Sequence, residues 1–168
     1  VVDLVNATCC KSLKDVLRIT PAHVVVAQEV KVDGDGVAAL SEWADREENG
    51  GWHAMIVGCA RTELQRCSAG VAVFARKFVG LGPLEGWTVA DCTVVEARVL
   101  IAKVEAPCTP AFAIMAGYLI SGEGASEGNL AILGKAGHAL SKAGLPFLFG
   151  ADFNMSTEEL DDTLFADA

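Results

Sequence analysis

Two polar side chains near the carboxyl end of the chain could take part in catalysis. Asp152 and Asn154 follow a short apolar run, residues 145–149, and a glycine. Alternate residues of an extended chain face the same way, so both side chains should point beyond the end of one strand. A carboxylate and an amide placed there can position a water molecule, a phosphate or a metal ion. Both residue types also favour turns, so a plain turn is the alternative.

Three further polar residues lie within or at the end of predicted strands. Glu29 comes directly after a buried apolar run and Gln28, and Asn6 ends the first apolar run. Tyr118 is the only tyrosine of the chain. Carboxylate and amide oxygens are hard ligands that suit Mg²⁺, and a tyrosine hydroxyl can hydrogen-bond a phosphate. A solvated strand end for Glu29 and a core position for Tyr118 are the structural alternatives.

Strands and helices must bring these residues together, and the periodicity of apolar residues predicts both. The predicted strands are 1–5, 23–27, 52–59, 70–76, 94–104, 112–120 and the run before Asp152. The predicted helices are 13–17, 37–44, 130–140 and one that starts at Ser156. This order, with several consecutive strands in the middle, predicts an α/β fold of sheets packed face to face with helices outside.

Local signals refine these elements. Segments 12–15 and 156–159 have the spacing of capping boxes at the start of helices. Glycines within 34–36 predict a loop, and the polar stretch 61–68 predicts another. Arg98 lies on a predicted strand, where a surface cross-strand partner is the expected role.

The composition limits the function classes. A chain of 168 residues predicts one domain, 1–168, and no apolar stretch reaches the ~20 residues of a membrane span. The net charge is −9, with 13 basic against 22 acidic residues. This balance argues against nucleic-acid binding through charge alone. It leaves open a local basic groove or a site where metal ions supply the positive charge.

The six cysteines contain no Cys-x-x-Cys pair. They predict free thiols in a reducing compartment rather than a disulfide framework, so we expect an intracellular protein, nuclear or cytoplasmic. The chain does not begin with methionine, which suggests a fragment.

Four segments together resemble the endonuclease/exonuclease/phosphatase superfamily, which includes deoxyribonuclease I-like and abasic-site endonucleases. In family order they are Val-Val-Val-Ala-Gln-Glu at 24–29, Ser-Ala-Gly-Val-Ala-Val-Phe at 68–74, Ala-Ile-Met-Ala-Gly-Tyr-Leu at 113–119 and Phe-Leu-Phe-Gly-Ala-Asp-Phe-Asn at 147–154. The resemblance implies a four-layer α/β/β/α sandwich of two mixed sheets flanked by helices.

The resemblance also implies roles for the polar residues. Glu29 would bind the catalytic divalent metal, Mg²⁺ or Mn²⁺, and Asn6, which matches the family's asparagine on the first strand, would be a second residue of that metal site. Asp152 would orient or deprotonate the attacking water, and Asn154 would hold the phosphate or the nucleophile. Tyr118 would contact the scissile phosphate.

The superfamily carries a Ser-Asp-His-type segment well downstream of the Asp-Phe-Asn segment, whereas this chain ends at Ala168. The resemblance therefore implies an incomplete C-terminal part and weak or absent activity. The favoured function is Mg²⁺-dependent phosphodiester hydrolysis of nucleic acid, as in a retroelement-type endonuclease. The alternatives are a non-catalytic remnant or interaction module, and a phosphatase or phospholipid phosphodiesterase of the same superfamily.

Overall fold

The computed structural model describes residues 1–61, 67–163 and 165. The strands are β1 (Val2–Asn6), β2 (Val24–Gln28), β3 (Trp52–Val57), β4 (Ala60–Arg61), β5 (Cys67–Ser68), β6 (Val71–Arg76), β7 (Gly80–Gly82), β8 (Thr93–Val95), β9 (Val99–Glu105), β10 (Phe112–Tyr118) and β11 (Phe147–Asp152). The helices are α1 (Cys10–Ile19), α2 (Gly34–Asp45), α3 (Glu127–Ala143) and α4 (Thr157–Asp162), with a 3₁₀ turn at Glu47–Asn49.

Two mixed sheets form the centre of the molecule. The first has the order β1-β2-β6-β3, and the second has the order β11-β10-β9-β7 with β8 also paired to β9. The pairs β1/β2 and β10/β11 are parallel, while the other pairs of both sheets are antiparallel. A separate ladder joins β4 to β5.

Strand β2 shows why the sheets pack face to face. All five of its residues are buried. Val25 and Ala27 pack with the buried residues of α1 and α2, whereas Val24 and Val26 join the core shared with the second sheet. Side chains alternate between the two faces of a strand, so a continuous apolar run is what a doubly covered strand requires.

Helix α3 covers the other face of the second sheet. Its buried apolar residues join the core of β9 and β10, and they are Ile132, Leu133, Ala136, Ala139 and Leu140. The layers are therefore α1 with α2, the first sheet, the second sheet, and α3. This confirms the predicted α/β sandwich of two mixed sheets flanked by helices. No helix among the described residues is long and apolar enough to cross a membrane.

The helix starts differ in part from the predictions. Helix α1 starts at Cys10 with extended Cys9 as its N-cap, so Ser12 lies inside the first turn and the capping box predicted there is wrong. Helix α2 starts at Gly34, where a loop was predicted, with extended Asp33 before it and Asp35 in the first turn. Acidic side chains stabilise the first turn of a helix because the helix dipole is positive at that end. The capping box at Ser156 is confirmed.

Two further predictions concern strands and loops. The predicted strand 94–104 is divided between β8 and β9, because Ala97 has a φ of +57° and breaks the extended chain. The ends of the predicted loop 61–68 extend into β4 and β5, and residues 62–66 lie outside the described part of the chain.

Candidate active site

The five predicted site residues lie at the carboxyl ends of two pairs of parallel strands. Asn6 ends β1 beside Gln28 of β2, and Tyr118 ends β10 beside Asp152 of β11. Strands β1 and β11 contact each other across the sandwich. Because parallel strands present their carboxyl ends at one edge of a sheet, this contact brings the two edges together.

Asp152 is held from both sides. Asn6 Nδ2 donates to Asp152 Oδ2 at 2.9 Å, across 146 positions of sequence, and the backbone N–H of Asn154 donates to Asp152 Oδ1 at 3.2 Å. Asn6 Oδ1 accepts the backbone N–H of Thr8 at 3.2 Å, so Asn6 offers its nitrogen to the carboxylate. In this arrangement Asn6 orients Asp152, and both carboxylate oxygens keep a free lone pair for a further partner.

Glu29 joins the two sheets a second time. Tyr118 Oη donates to Glu29 Oε1 at 2.6 Å, and Lys31 Nζ lies 3.3 Å from Glu29 Oε2. The Glu29 side chain is only 18% exposed, so these charged contacts are partly shielded from solvent.

Tyr118 is held as a hydrogen-bond donor. Its burial, and then its hydrogen bond to Glu29, raise the pKa of Tyr118 from about 10 to about 12. The phenol therefore keeps its proton at neutral pH. A protonated phenol can donate to a phosphate oxygen but cannot act as a base.

The pKa of Tyr118 can be measured directly because the chain has one tyrosine. We expect tyrosinate absorbance in the native protein to rise with a midpoint near pH 12, and near pH 10 after unfolding. The folded state favours the neutral phenol, so its stabilising effect is complete below pH 10 and lost as the pH rises to about 12. A native midpoint near pH 10 would contradict the buried contact. Glu29→Gln should lower the midpoint only partly, because burial is the larger cause.

Two amides tie the strand ends together. Gln28 is buried, and its Nε2 donates to the carbonyl of Gly150 on the facing sheet at 3.1 Å. Asn154 Nδ2 donates to the carbonyl of Leu119 at 3.0 Å, just beyond β10. The Gln28 bond crosses from one sheet to the other, and the Asn154 bond fixes the turn after β11 against the end of β10. The role of Asn154 toward a phosphate stays a prediction.

Two of the predicted residues have left-handed backbone. Glu29 has a φ of +54° and Asn154 a φ of +51°. Asparagine tolerates this region, whereas for glutamate it costs on the order of 1–3 kcal/mol. Such strain persists only where the surroundings enforce it, and it is concentrated at functional sites.

Backbone hydrogen bonds to Gly70 and its neighbour hold the conformation of the segment after Glu29. Val30 N–H donates to the carbonyl of Gly70 at 3.1 Å, and Lys31 N–H to that of Ala69 at 3.3 Å. Gly70 has a φ of +90°, and a Cβ there would lie 3.2 Å from the backbone nitrogen of Lys31 and 3.3 Å from that of Cys59. Only glycine suits both the conformation and the space.

Gly70→Ala should therefore destabilise the fold by about 1–3 kcal/mol, which urea denaturation would measure. The matched control is Gly134→Ala on α3, where an added Cβ meets no atom within 4 Å. The control should be stabilised by about 0.5–1 kcal/mol, because glycine is unfavourable within a helix. Equal effects of the two changes would disprove the tight packing at Gly70.

Lys31 and Arg98 were not assigned to the site from the sequence. Arg98 is predicted as a surface cross-strand partner, yet its Nη1 donates to the carbonyl of Tyr118 at 3.2 Å and its guanidinium lies 5.8 Å from the centroid of the tyrosine ring. The turn at Ala97 directs it there, and no sequence pattern marks that turn. Lys31 follows Glu29 by two positions in the sequence, and this spacing was the only feature that could have indicated their ion pair.

The donor chemistry fits a hard divalent cation. Glu29 and Asp152 supply carboxylates on neighbouring strand ends, and Mg²⁺ is typically held by one or two carboxylates together with water and phosphate oxygens. Within the described part of the chain, His, Cys, Asp and Glu form no group of three or more that could enclose a metal.

Comparison with solved structures places this fold. The chain is similar to the human Nocturnin catalytic domain with 18% identity and a TM-score of 0.58 over 95% of this chain and 61% of that one. It is similar to an endonuclease/exonuclease/phosphatase from Beutenbergia cavernae with 16% identity and a TM-score of 0.53 over 91% of this chain and 46% of that one. It is also similar to the endonuclease domain of TRAS1, a telomere-specific non-LTR retrotransposon, with 12% identity and a TM-score of 0.50 over 85% of this chain and 57% of that one. No family model matches the sequence, and no curated protein is significantly similar to it.

The chain therefore has the fold of the endonuclease/exonuclease/phosphatase structures, and the resemblance drawn from four short segments is confirmed at the level of the fold. It spans about half to three-fifths of the length of these structures.

Proposed function

We propose that this chain carries metal-binding and catalytic residues of a phosphodiesterase site and acts in divalent-metal-dependent hydrolysis of phosphodiesters. One observation carries the proposal. Two hydrogen bonds, Asn6 to Asp152 at 2.9 Å and Tyr118 to Glu29 at 2.6 Å, join four polar side chains from the ends of four strands on two sheets. The left-handed backbone at Glu29 costs folding free energy, and strain of this kind is concentrated at functional sites.

Each residue has a proposed role that follows from its contacts. Asp152, oriented by Asn6 and by the backbone of Asn154, holds the attacking water and takes its proton. Tyr118 donates its hydroxyl hydrogen to a non-bridging phosphate oxygen, which its raised pKa permits at neutral pH. Glu29 and Asp152 would hold Mg²⁺ or Mn²⁺, and a cation there would neutralise the charge that develops on the phosphate.

We propose that Lys31 neutralises the Glu29 carboxylate when no cation is bound there. Its ammonium group lies beside Glu29 Oε2 and balances that carboxylate. A divalent cation at Glu29 would compete with this ion pair, and Lys31 would then be able to turn toward the substrate phosphate. Its side chain is 34% exposed, which leaves room for that movement.

Nucleic acid is the first candidate substrate. The endonuclease domain of TRAS1 shares the fold, which supports a retroelement-type endonuclease. A small phosphate ester or phospholipid head group is the second candidate. The net charge of −9 favours it, because a long polyanion is repelled over the whole surface, whereas a small ester meets only the local site.

The test is hydrolysis of supercoiled plasmid DNA and of bis(p-nitrophenyl) phosphate, with Mg²⁺ and with EDTA. We expect Mg²⁺-dependent cleavage that EDTA abolishes. DNA nicking would select the endonuclease, and cleavage of the small diester alone would select the second candidate. Failure of the folded protein on both substrates would overturn the proposed activity and favour a non-catalytic interaction module.

A further inference from the structure

Cys59 and Cys67 lie side by side at the end of the small β4/β5 ladder. In this ladder Arg61 pairs with Cys67 and Ala60 with Ser68. Cys59 directly precedes β4 and so lies on the same face as Arg61 and Cys67, because side chains alternate along a strand. Cys59 and Cys67 are diagonal neighbours across the ladder. Both are free thiols and both are half-buried.

The pair is attached to the segment that follows Glu29. The backbone N–H of Cys59 donates to the carbonyl of Val32 at 2.7 Å. Two positions beyond Cys67, the carbonyl of Ala69 accepts the N–H of Lys31 at 3.3 Å. Residues 30–32 are thus held between the two chain segments that carry the cysteines.

The environment of Cys59 favours its protonated thiol. Burial, and then the neighbouring Cys67 side chain, raise the pKa of Cys59 well above its usual range. Cys59 therefore keeps its proton at neutral pH. We therefore assign to Cys59 the role of the thiol that resolves the product, and to its ladder neighbour Cys67 the first attack on the oxidant.

We propose that Cys59 and Cys67 are a redox-active dithiol that peroxide converts to an intramolecular disulfide. The Cys67 thiolate attacks one oxygen of hydrogen peroxide, the O–O bond breaks, and hydroxide leaves a sulfenic acid on Cys67. The sulfur of Cys59 then attacks the sulfur of Cys67, the S–O bond breaks, and the S–S bond forms. In sum, two thiols and one hydrogen peroxide give one disulfide and two waters, and a thiol reductant reverses the change.

The disulfide would cross-link the two segments that hold residues 30–32, so it would fix the backbone next to Glu29. This modification site is independent of the proposed hydrolysis. It stands or falls on the chemistry of the two sulfurs, whether or not the protein cleaves a phosphodiester.

Peptide mapping tests the proposal. The folded protein is treated with hydrogen peroxide at neutral pH, its remaining thiols are alkylated, and the denatured chain is digested with trypsin. Arginines at 61 and 66 place the two cysteines on separate peptides, 47–61 and 67–76. We expect these peptides as one species, two hydrogen atoms lighter than their sum, which dithiothreitol separates. Oxidation of exposed Cys9 or Cys108 while Cys59 and Cys67 are recovered alkylated would overturn the proposal.

Variants separate the two steps. Cys59→Ser should abolish the linked peptides and leave a sulfenic acid on Cys67 that dimedone traps, whereas Cys108→Ser should leave the link unchanged. Linked peptides that join other cysteines, or a Cys59→Ser protein in which dimedone labels no Cys67, would also overturn the assignment. The mapping of the unaltered protein decides the question even if a variant fails to fold.

Discussion

Replacing Asp152 by asparagine is expected to lower the rate of phosphodiester hydrolysis about 10²–10⁴-fold, because the change removes the proposed general base and one of the two proposed metal ligands. The substitution preserves shape, and the amide keeps one oxygen to accept from Asn6 or from the backbone of Asn154. The loss should therefore appear in the rate constant for cleavage of bis(p-nitrophenyl) phosphate, with little change in the unfolding midpoint.

Asp161→Asn is the matched control, since Asp161 is exposed on α4 and outside the site. We expect it to retain the rate of the unaltered protein. If Asp152→Asn and Asp161→Asn cleave equally fast, Asp152 has no part in the chemistry.

Replacing Trp52 by alanine is expected to cost about 3–5 kcal/mol of unfolding free energy, close to the whole stability of a marginal domain. Trp52 is fully buried between the first sheet and its helices. Its Nε1 donates to the carbonyl of Leu17 at 3.2 Å, and the Arg76 guanidinium lies 3.9 Å from its ring centroid. Arg76 in turn donates to the carbonyls of Gly50 at 2.6 Å and Thr20 at 2.7 Å. Loss of the Trp52 ring would therefore also expose these Arg76 hydrogen bonds to solvent.

Urea denaturation followed by circular dichroism measures this cost without relying on tryptophan fluorescence. Trp43→Ala serves as the comparison, because Trp43 is only half-buried and lies beneath the charged groups of Lys14 and Arg18. It should cost no more than about 2 kcal/mol. A Trp52 variant no less stable than the Trp43 variant would refute this view of the core.

The strands that carry the site could be predicted from the sequence because their signals are local. Residues 24–27 form a continuous apolar run, and β2 is indeed covered on both faces. The apolar stripe of 130–140 predicts α3 for the same reason, since one face of the helix packs on the sheet. Gly150 interrupts an apolar run and lies where the side chains of Leu4 and Val26 leave no space for a Cβ.

The cross-sheet contacts could not be predicted from local pattern. Asn6 and Asp152 lie 146 positions apart and meet only because β1 and β11 contact each other across the sandwich. The ion pair of Lys31 depends on the left-handed turns at Glu29 and Lys31, which non-glycine residues rarely adopt. Arg98 reaches Tyr118 only through a third such turn, at Ala97.

The start of α1 shows the same limit on a smaller scale. The segment 12–15 has the spacing of a capping box, but the chain is already helical at Cys10. Ser12 Oγ lies 3.3 Å from the sulfur of Cys9 instead of capping a turn. The local pattern therefore predicted the helix and its buried face but not the residue at which it begins.

Binding of Mn²⁺, followed by its electron paramagnetic resonance signal, tests most directly whether Glu29 and Asp152 act on one cation. We predict that the protein binds one Mn²⁺ in competition with Mg²⁺. Glu29→Gln and Asp152→Asn should each weaken binding by about 10-fold or more, while Asp161→Asn should not. Binding that neither change weakens, or no binding by the folded protein, would contradict a shared metal site at these strand ends.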